Sequence, residues 1–296
     1  MNNFDDLFES KKEQEEKKTY HPYNKDEWVE KKKQERASAF AMLDEATVEM
    51  MNDPEKFKDY LNVQSRFDRY SVSNAVLIAH QKPDATRIAD FDTWKDDDIS
   101  ILKGEKAFTI FEPGKEFTRE DGSTGFSVNV KKVFDISQTS EAENAPQRRT
   151  PDPRKVMKAL IAATPCDIRM TDELPGNVDA KYVEKDNAIY VRQGMEGDDL
   201  FATLAQEIVS ARIGKDAPAG AFVAYCSSYV LCERYGFSTD RYNFDNLPKY
   251  FEGQESKGFR NGLDRIREAA NDVSQDMSRN MEAQEKAQRN QSRDAR

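Results

Sequence analysis

The segment from Arg69 to Pro113 is the most distinctive in the chain, because it combines residue types that bind single-stranded nucleic acid. Aromatic side chains stack on unpaired bases, and cations follow the phosphates of a strand. We expect Tyr70 and Trp94 to stack on bases. Ser71 and Asn74, which are polar residues at the start of an apolar helix, are candidates to hydrogen-bond to the backbone or the bases. The candidate phosphate contacts are Arg66, Arg69, Arg87, Lys103 and Lys106.

Some of these residues also have a purely structural interpretation. Trp94 is large and apolar enough to belong to the core. Asn74 can instead cap a helix or lock a loop. Three consecutive carboxylates, at 96–98, lie close to Lys103 and would repel phosphate. We therefore expect single-strand binding that is modest and sensitive to salt.

A series of sequence blocks in a fixed order carries a resemblance to a known family. The blocks are Arg-Tyr-Ser-Val-Ser-Asn at 69–74, Lys-Pro-Asp-Ala-Thr-Arg at 82–87, Phe-Asp-Thr-Trp at 91–94, Lys-Gly-Glu-Lys-Ala at 103–107 and Val-Phe-Asp-Ile-Ser-Gln-Thr at 133–139. Together they resemble the N-terminal domain of ArdC-type antirestriction proteins and of the similar LtrC-like proteins of conjugative elements, over residues 37–140. The resemblance implies a single-stranded-DNA-binding domain in a protein of a mobile element.

A second group of residues lies on a helix predicted from Asp198 to Ala211. This region resembles the zincin-like peptidase domain that is often joined to the ArdC-type module. Such domains hold zinc with two histidines at i and i+4 of one helix, and the glutamate between them acts on the metal-bound water. The resemblance places Gln206 and Ser210 at the histidine positions and Ala221 near the third ligand position. A vestigial Glu207 is all that remains of the motif.

The inventory of metal-binding residues argues against a zinc site without any alignment. The two histidines of the chain, His21 and His80, lie outside this region. Cys226 and Cys232 are six residues apart and so point to different sides of a helix, while Cys166 is remote in sequence. No P-loop, G-x-G-x-x-G or G-x-S-x-G pattern occurs either. We predict no enzyme, no catalytic residue, no metal and no cofactor.

The elements that must position these residues form two α+β domains. In residues 37–140, three helical patterns precede two strands that alternate with period two and form a small antiparallel sheet. In residues 154–280, we expect a helix, three short strands in a small sheet, and further zincin-like helices. The polar, proline-bearing stretch at 141–153 is predicted to be a linker.

Both ends of the chain are polar. Residues 1–36 alternate lysine and glutamate runs and predict a charged arm or an exposed helix. Residues 281–296 almost lack bulky apolar side chains and predict a disordered tail. The net charge of −10 counts against indiscriminate nucleic-acid binding but leaves room for a local basic groove. Three scattered cysteines, no signal peptide and no membrane-length apolar segment indicate the cytoplasm and no membrane partner.

These observations predict a mobile-element accessory protein that binds single-stranded DNA through its first domain. The second domain is then a catalytically dead peptidase-like scaffold or a site for a protein partner. One alternative is an acidic antirestriction or scaffold factor that binds a basic protein and no DNA. The other is an enzyme with unfamiliar chemistry around Glu207, which Glu207→Gln would inactivate without unfolding it.

Overall fold

The protein is described by a computed structural model that covers residues 24–118, 121–145, 150–214 and 219–294. Helices and two small sheets alternate along these ranges, which confirms the α+β class. None of the described helices is both long enough and apolar enough to cross a membrane.

The first half consists of three helices followed by a small antiparallel sheet. The helices are α1 (Lys25–Asn52), α2 (Pro54–Arg66) and α3 (Val72–Gln81). The sheet has the order β1-β3-β2, with the short helix α4 between β1 and β2. Its elements are β1 (Ile88–Ala89), α4 (Phe91–Asp96), β2 (Phe108–Thr118) and β3 (Thr124–Asp135).

The start of α2 follows local sequence rules. The Asp53 carboxylate accepts hydrogen bonds from the backbone N of Glu55 at 2.9 Å and of Lys56 at 3.4 Å, and Pro54 occupies the first helical position. A proline there is favourable, because its missing N–H would have no partner within the helix. These two adjacent residues, Asp53 and Pro54, account for where α2 begins.

The second half places a three-stranded sheet between helices. Its elements are α5 (Pro153–Ala162), β4 (Asp167–Thr171), β5 (Ala180–Val183), β6 (Ala188–Arg192), α6 (Gly197–Ile213), α7 (Gly220–Tyr235), α8 (Leu247–Tyr250) and α9 (Ser256–Asp294). The central strand β6 pairs in parallel with β4 and antiparallel with β5, so β5 is an edge strand. Gly236 ends α7 with a φ of 78°, the left-handed conformation that glycine often adopts after a helix.

The two halves pack against each other. Buried residues form a hydrophobic cluster that extends from Leu43 on α1 to Met277 on α9. Near its centre, the ring of Phe57 on α2 lies 5.3 Å from that of Phe244 and 6.2 Å from that of Phe259 on α9. The domain boundaries stay a prediction, but the described helices of the two halves share this cluster.

The two ends of the chain are helical where the structure describes them. Residues 25–36 are the exposed first turns of α1 and continue without a break into residues 37–52, whereas residues 1–23 lie outside the described range. The predicted disordered tail at 281–296 is helical as far as Asp294. Its Ala, Glu, Gln, Lys and Arg residues favour helix on intrinsic grounds, so an apolar face was not required. Residues 146–149 of the predicted linker lie outside the described residues.

Candidate functional site

Three of the sequence blocks meet at the buried carboxylate of Asp135, which is 1% exposed. Its Oδ1 atom accepts hydrogen bonds from the backbone N of Thr86 at 2.7 Å and of Arg87 at 3.0 Å. Its Oδ2 atom accepts one from the backbone N of Ser137 at 2.9 Å. A buried carboxylate needs such donors, since it would otherwise carry an uncompensated charge. Asp135 therefore joins the 82–87 block to the end of β3.

Gln138 joins the third block to the same place. Its Oε1 atom accepts from the backbone N of Asp135 at 2.9 Å, and its Nε2 atom donates to the carbonyl of Lys106 at 2.9 Å and to Glu105 Oε2 at 2.8 Å. Residues 82–87, 103–107 and 133–139 thus form one hydrogen-bonded unit, which we call the loop cluster. The roles of Asp135 and Gln138 were not predicted. A cap residue such as Asp135, followed three positions later by Gln, is nevertheless a recognisable capping-box signal.

Trp94 does not face solvent, so the expectation that it stacks on bases is wrong. Its side chain is 0% exposed, and its Nε1 atom donates to the carbonyl of Phe134 at 3.1 Å. The guanidinium of Arg87 covers one face of the ring at 4.8 Å from its centre. Trp94 is therefore a core residue that anchors α4 to the loop cluster.

Ser71 and Asn74 also have structural tasks in this structure. Ser71 caps α3, with its Oγ atom accepting from the backbone N of Asn74 at 3.3 Å. The Asn74 amide pairs with the backbone of Phe111 in both directions, donating to its carbonyl at 2.8 Å and accepting from its N at 2.7 Å. Because these partners engage both functions of the Asn74 amide, the locking interpretation explains this residue better than contact with bases.

Two of the predicted phosphate contacts have protein partners. Arg66 donates through Nε to the carbonyl of Ala85 at 2.9 Å and through Nη2 to the carbonyl of Pro83. Partial burial lowers the pKa of its guanidinium. Arg87 forms an ion pair with Asp97 Oδ2 at 2.9 Å, so one of the three carboxylates at 96–98 already neutralises it.

The remaining residues predicted to contact DNA are more accessible to a ligand. Tyr70 is half-buried, packs edge-on against Phe67 with ring centres 5.5 Å apart, and has its pKa raised by burial. Arg69, Lys103 and Lys106 are exposed, and within the described part of the chain none of their charged groups has a carboxylate partner. The structure brings Lys103 and Lys106 together on the loop cluster, whereas Arg69 lies at the turn between α2 and α3.

An exposed aromatic ring lies on α4, the helix that Trp94 anchors to the loop cluster. Phe91, at the start of α4, is 56% exposed, and Leu102 is 45% exposed. Phe91 and Trp94 are both aromatic residues of one short helix, so no local sequence signal decides which of them is buried. Phe91 is the ring on α4 that is available for stacking.

The region around Glu207 is a cavity of about 730 Å³ between β5, α6 and the start of α7. Ser210, Ala221 and Glu207 line it together with Lys181 and Tyr182 of the β5 edge. The Glu207 carboxylate accepts a hydrogen bond from the backbone N of Tyr182 at 2.6 Å. Burial raises the pKa of Glu207, and the hydrogen bond from Tyr182 opposes that effect. Glu207 thus accepts a hydrogen bond from the backbone of the edge strand β5 in this structure.

The positions that the resemblance assigns to metal ligands carry poor donors. The Ser210 hydroxyl donates to the carbonyl of Gln206 at 3.0 Å, and Ala221 has no donor atom in its side chain. Among the residues that the structure describes, no group of three or more His, Cys, Asp or Glu side chains is arranged to hold a metal ion. His80 lies 3.4 Å from Glu49 instead, and His21 is outside the described range.

The cysteines are not arranged for metal binding or nucleophilic chemistry. Burial raises the pKa of Cys226 well above its usual value and that of Cys232 to about 12, so both stay protonated thiols at neutral pH. Cys166 is partly exposed, and burial also raises its pKa. These side chains act as small hydrophobic residues.

Comparison with known proteins finds similarity in the first half of the chain and in the fold. Residues 37–158 match the family model of the N-terminal domain of anti-restriction factor ArdC. The fold is similar to the metal-free crystal structure of the antirestriction ArdC protein from plasmid R388, with a TM-score of 0.51, 20% identity, and coverage of 71% of this chain and 86% of that chain. The Mn(II)-bound structure of the same protein gives a TM-score of 0.50 at 19% identity, with 70% and 85% coverage.

A curated relative extends the similarity to most of the chain. It is an uncharacterised protein of Bacillus anthracis named pXO2-81, which is 24% identical over 86% of this chain. The chain spans about half of that relative's length, since the match covers 52% of it.

Proposed function

We propose that this chain binds single-stranded DNA as an antirestriction accessory protein without enzymatic activity, because residues 37–158 match the family model of the ArdC N-terminal domain and the fold is similar to that of ArdC. It acts in the cytoplasm and belongs to a mobile element, as in conjugation. The loop cluster in the first half contacts the DNA, and the second half is a peptidase-like scaffold that can also hold a protein partner.

One observation carries the DNA-binding proposal. The loop cluster is held by hydrogen bonds of Asp135 and Gln138, and it carries two exposed lysines, Lys103 and Lys106, which pair with no carboxylate among the described residues. Trp94 fixes α4 against this cluster, so that the exposed ring of Phe91 lies on the same part of the fold. Aromatic rings that stack on bases and cations that follow the phosphates are the groups that bind a single strand.

The proposal that the chain lacks zinc chemistry rests on the side chains at the zinc-ligand positions of the second half. Gln206, Ser210 and Ala221 offer no imidazole or carboxylate, and Glu207 is engaged with the backbone of Tyr182. A catalytic zinc needs three protein ligands and an open position for water. Metal analysis of the purified chain is expected to find far less than one zinc per chain, and stoichiometric zinc would overturn this part of the proposal.

The net charge of −10 favours a second candidate function, an acidic factor that binds a basic protein partner and no DNA. The carboxylates at 96–98 lie near the loop cluster and would add to such a surface. This alternative predicts that the chain captures a basic protein and leaves oligonucleotides unbound.

The test of the main proposal uses fluorescence anisotropy with a labelled single-stranded oligonucleotide and the full chain. The double variant Lys103→Ala/Lys106→Ala should weaken binding and lower the slope of log affinity against log salt by about 0.7 for each phosphate that is no longer neutralised. The matched control is Lys249→Ala/Lys257→Ala, which removes the same charge from exposed positions in the second half. Equal effects in both double variants would indicate a general charge effect and would contradict the assignment of the loop cluster.

A further inference from the structure

A polar cleft of about 580 Å³ lies where the two halves meet. One wall is the turn between α2 and α3, with Asp68 and Arg69, and another is α7, with Arg234. The third wall is α9, which contributes Gln275 and Arg279 among other polar residues. We call this site the arginine cleft.

The arginine cleft is cationic although the chain as a whole is acidic. Three guanidinium groups and one carboxylate line it, namely those of Arg69, Arg234, Arg279 and Asp68. Arg69 is exposed, and no described carboxylate pairs with it. The side chain of Arg279 is 75% exposed and forms an ion pair with Asp276, which it shares with Arg212. A site of this sign on a chain with a net charge of −10 is suited to an anion.

Hydrogen bonds between the halves hold the walls in place. Asn271 on α9 donates through Nδ2 to the carbonyl of Asp68 at 3.0 Å. Arg234 on α7 donates through Nε to the carbonyl of Ser65 at 3.3 Å. These bonds hold α9 and α7 against the end of α2 and the turn after it, so the fold sets where the three arginines stand on the walls of the cleft.

The cleft continues into a second polar depression along α9. That depression has a volume of about 600 Å³ and shares Arg279 with the cleft. It adds Arg212, Asn280 and the Asp276 carboxylate, which pairs with both Arg212 and Arg279. A single small anion would need one such pocket, whereas a run of linked phosphates can use both in succession.

We propose that the arginine cleft binds consecutive phosphates of a single DNA strand, so that the strand crosses from the first half onto α9. Guanidinium groups suit this task because their planar donors match two oxygens of one phosphate. Arg69 belongs to the 69–74 sequence block, which connects the cleft to the first half. The proposal rests on the proposed function and adds that the second half is itself part of the DNA site.

The test uses the full chain with four single variants in the same anisotropy assay. Arg69→Ala and Arg279→Ala should each weaken binding and lower the salt slope by about 0.7. Arg289→Ala is the matched control, because it removes the same charge from an exposed position further along α9. Arg279→Lys should retain more of the affinity than Arg279→Ala, since it keeps the charge. Thermal unfolding checks that each variant is folded.

The outcomes separate this inference from the proposed function. If the wild-type chain binds no oligonucleotide at low salt, the proposed function itself is wrong. If the wild-type chain binds but Arg279→Ala behaves like Arg289→Ala, the strand does not reach α9 and this inference is overturned, whereas the proposed function stands. A selective loss of affinity with Arg279→Ala supports it.

Discussion

At the residue scale, burial separates side chains that the sequence presents as equivalent. Phe91 and Trp94 are aromatic residues of the same short helix, yet the first is 56% exposed and the second is 0% exposed. Asn74 and Arg66 are similarly engaged by backbone groups far along the chain. Local patterns cannot predict such contacts, because the partners become neighbours only in the folded protein.

The two aromatic residues of α4 should respond oppositely to truncation. Trp94→Ala leaves a large cavity and should cost about 3–5 kcal/mol of the free energy of unfolding. Phe91→Ala should change stability by less than about 0.5 kcal/mol, because the ring is exposed. It should weaken single-strand binding by about 1–3 kcal/mol, through the loss of base stacking. Denaturant unfolding and anisotropy measure the two effects, and a stable Trp94→Ala variant that loses binding would reverse the assignment.

Glu207→Gln should stabilise the protein at neutral pH rather than inactivate it. Burial raises the pKa of this carboxyl above its ordinary value of 4.5, so ionisation weighs against the folded state. The stability that the protonated form contributes is complete below the pKa of the unfolded chain and is lost as pH rises through the folded pKa. Glutamine never ionises and keeps an oxygen that can accept from the backbone N of Tyr182.

The measurement for Glu207→Gln is denaturant unfolding at pH 7 and at a pH below 4.5. The gain over wild type should be present at pH 7 and should shrink at the lower pH. Destabilisation at pH 7, or the loss of any hydrolytic activity in the variant, would instead favour the alternative in which Glu207 performs chemistry.

At the element scale, α3 covers the outer edge of strand β2 with two side-chain amides. Asn74 pairs with the backbone of Phe111, and Gln81 donates to the carbonyl of Thr109 at 2.9 Å and accepts from its N at 2.8 Å. Positions seven apart lie on one face of a helix, and positions two apart share one edge of a strand. The two amides therefore act as a short substitute strand along β2, and this protects the edge from pairing with another chain.

Removal of either amide should be costly and should expose the edge of β2. Asn74→Ala and Gln81→Ala each leave a backbone N–H and a carbonyl unpaired, which should cost about 1–3 kcal/mol. The control is Asn52→Ala, because the Asn52 amide is exposed and donates only within α1, to the carbonyl of Val48. Denaturant unfolding and size-exclusion chromatography test the prediction, and it fails if the three variants lose equal stability.

Much of the element order could be predicted from the sequence, and the exceptions have physical reasons. Asp53, Pro54 and Gly236 act within one helical turn of their partners, so local rules identify them. The three strands of the second half were predicted from their short apolar runs. The helix at 281–294 was not predicted, because the segment lacks an apolar face and only the intrinsic propensity of its residues favours a helix. The arginine cleft was also missed, since its walls come from three distant parts of the chain.

At the scale of the whole molecule, polar contacts reinforce the hydrophobic packing between the halves. Tyr229 on α7 donates to Asn62 Oδ1 on α2 at 2.7 Å, and Arg260 on α9 pairs with Asp44 on α1 at 2.8 Å. The buried cluster that both halves share gives each a large apolar surface that the other covers. Neither half should therefore keep its full stability alone.

The full chain should unfold in a single cooperative transition. Tyr229→Phe removes a bond between the halves and should lower the stability of both by about 1 kcal/mol. Differential scanning calorimetry is the test, with circular dichroism as a second probe of unfolding. If the two halves unfold together, calorimetry shows one heat-absorption peak, and Tyr229→Phe shifts that whole peak. Two separate peaks, of which Tyr229→Phe moves only one, would show that the halves unfold independently.

The measurement that tests the central claim most directly compares a labelled single strand with the matching duplex, using the full chain at two salt concentrations. DNA binding through exposed lysines, arginines and the ring of Phe91 predicts a preference for the single strand and an affinity that falls as salt rises. No binding at low salt, or equal binding to the duplex, would contradict the claim and would favour an acidic protein that acts on a basic partner.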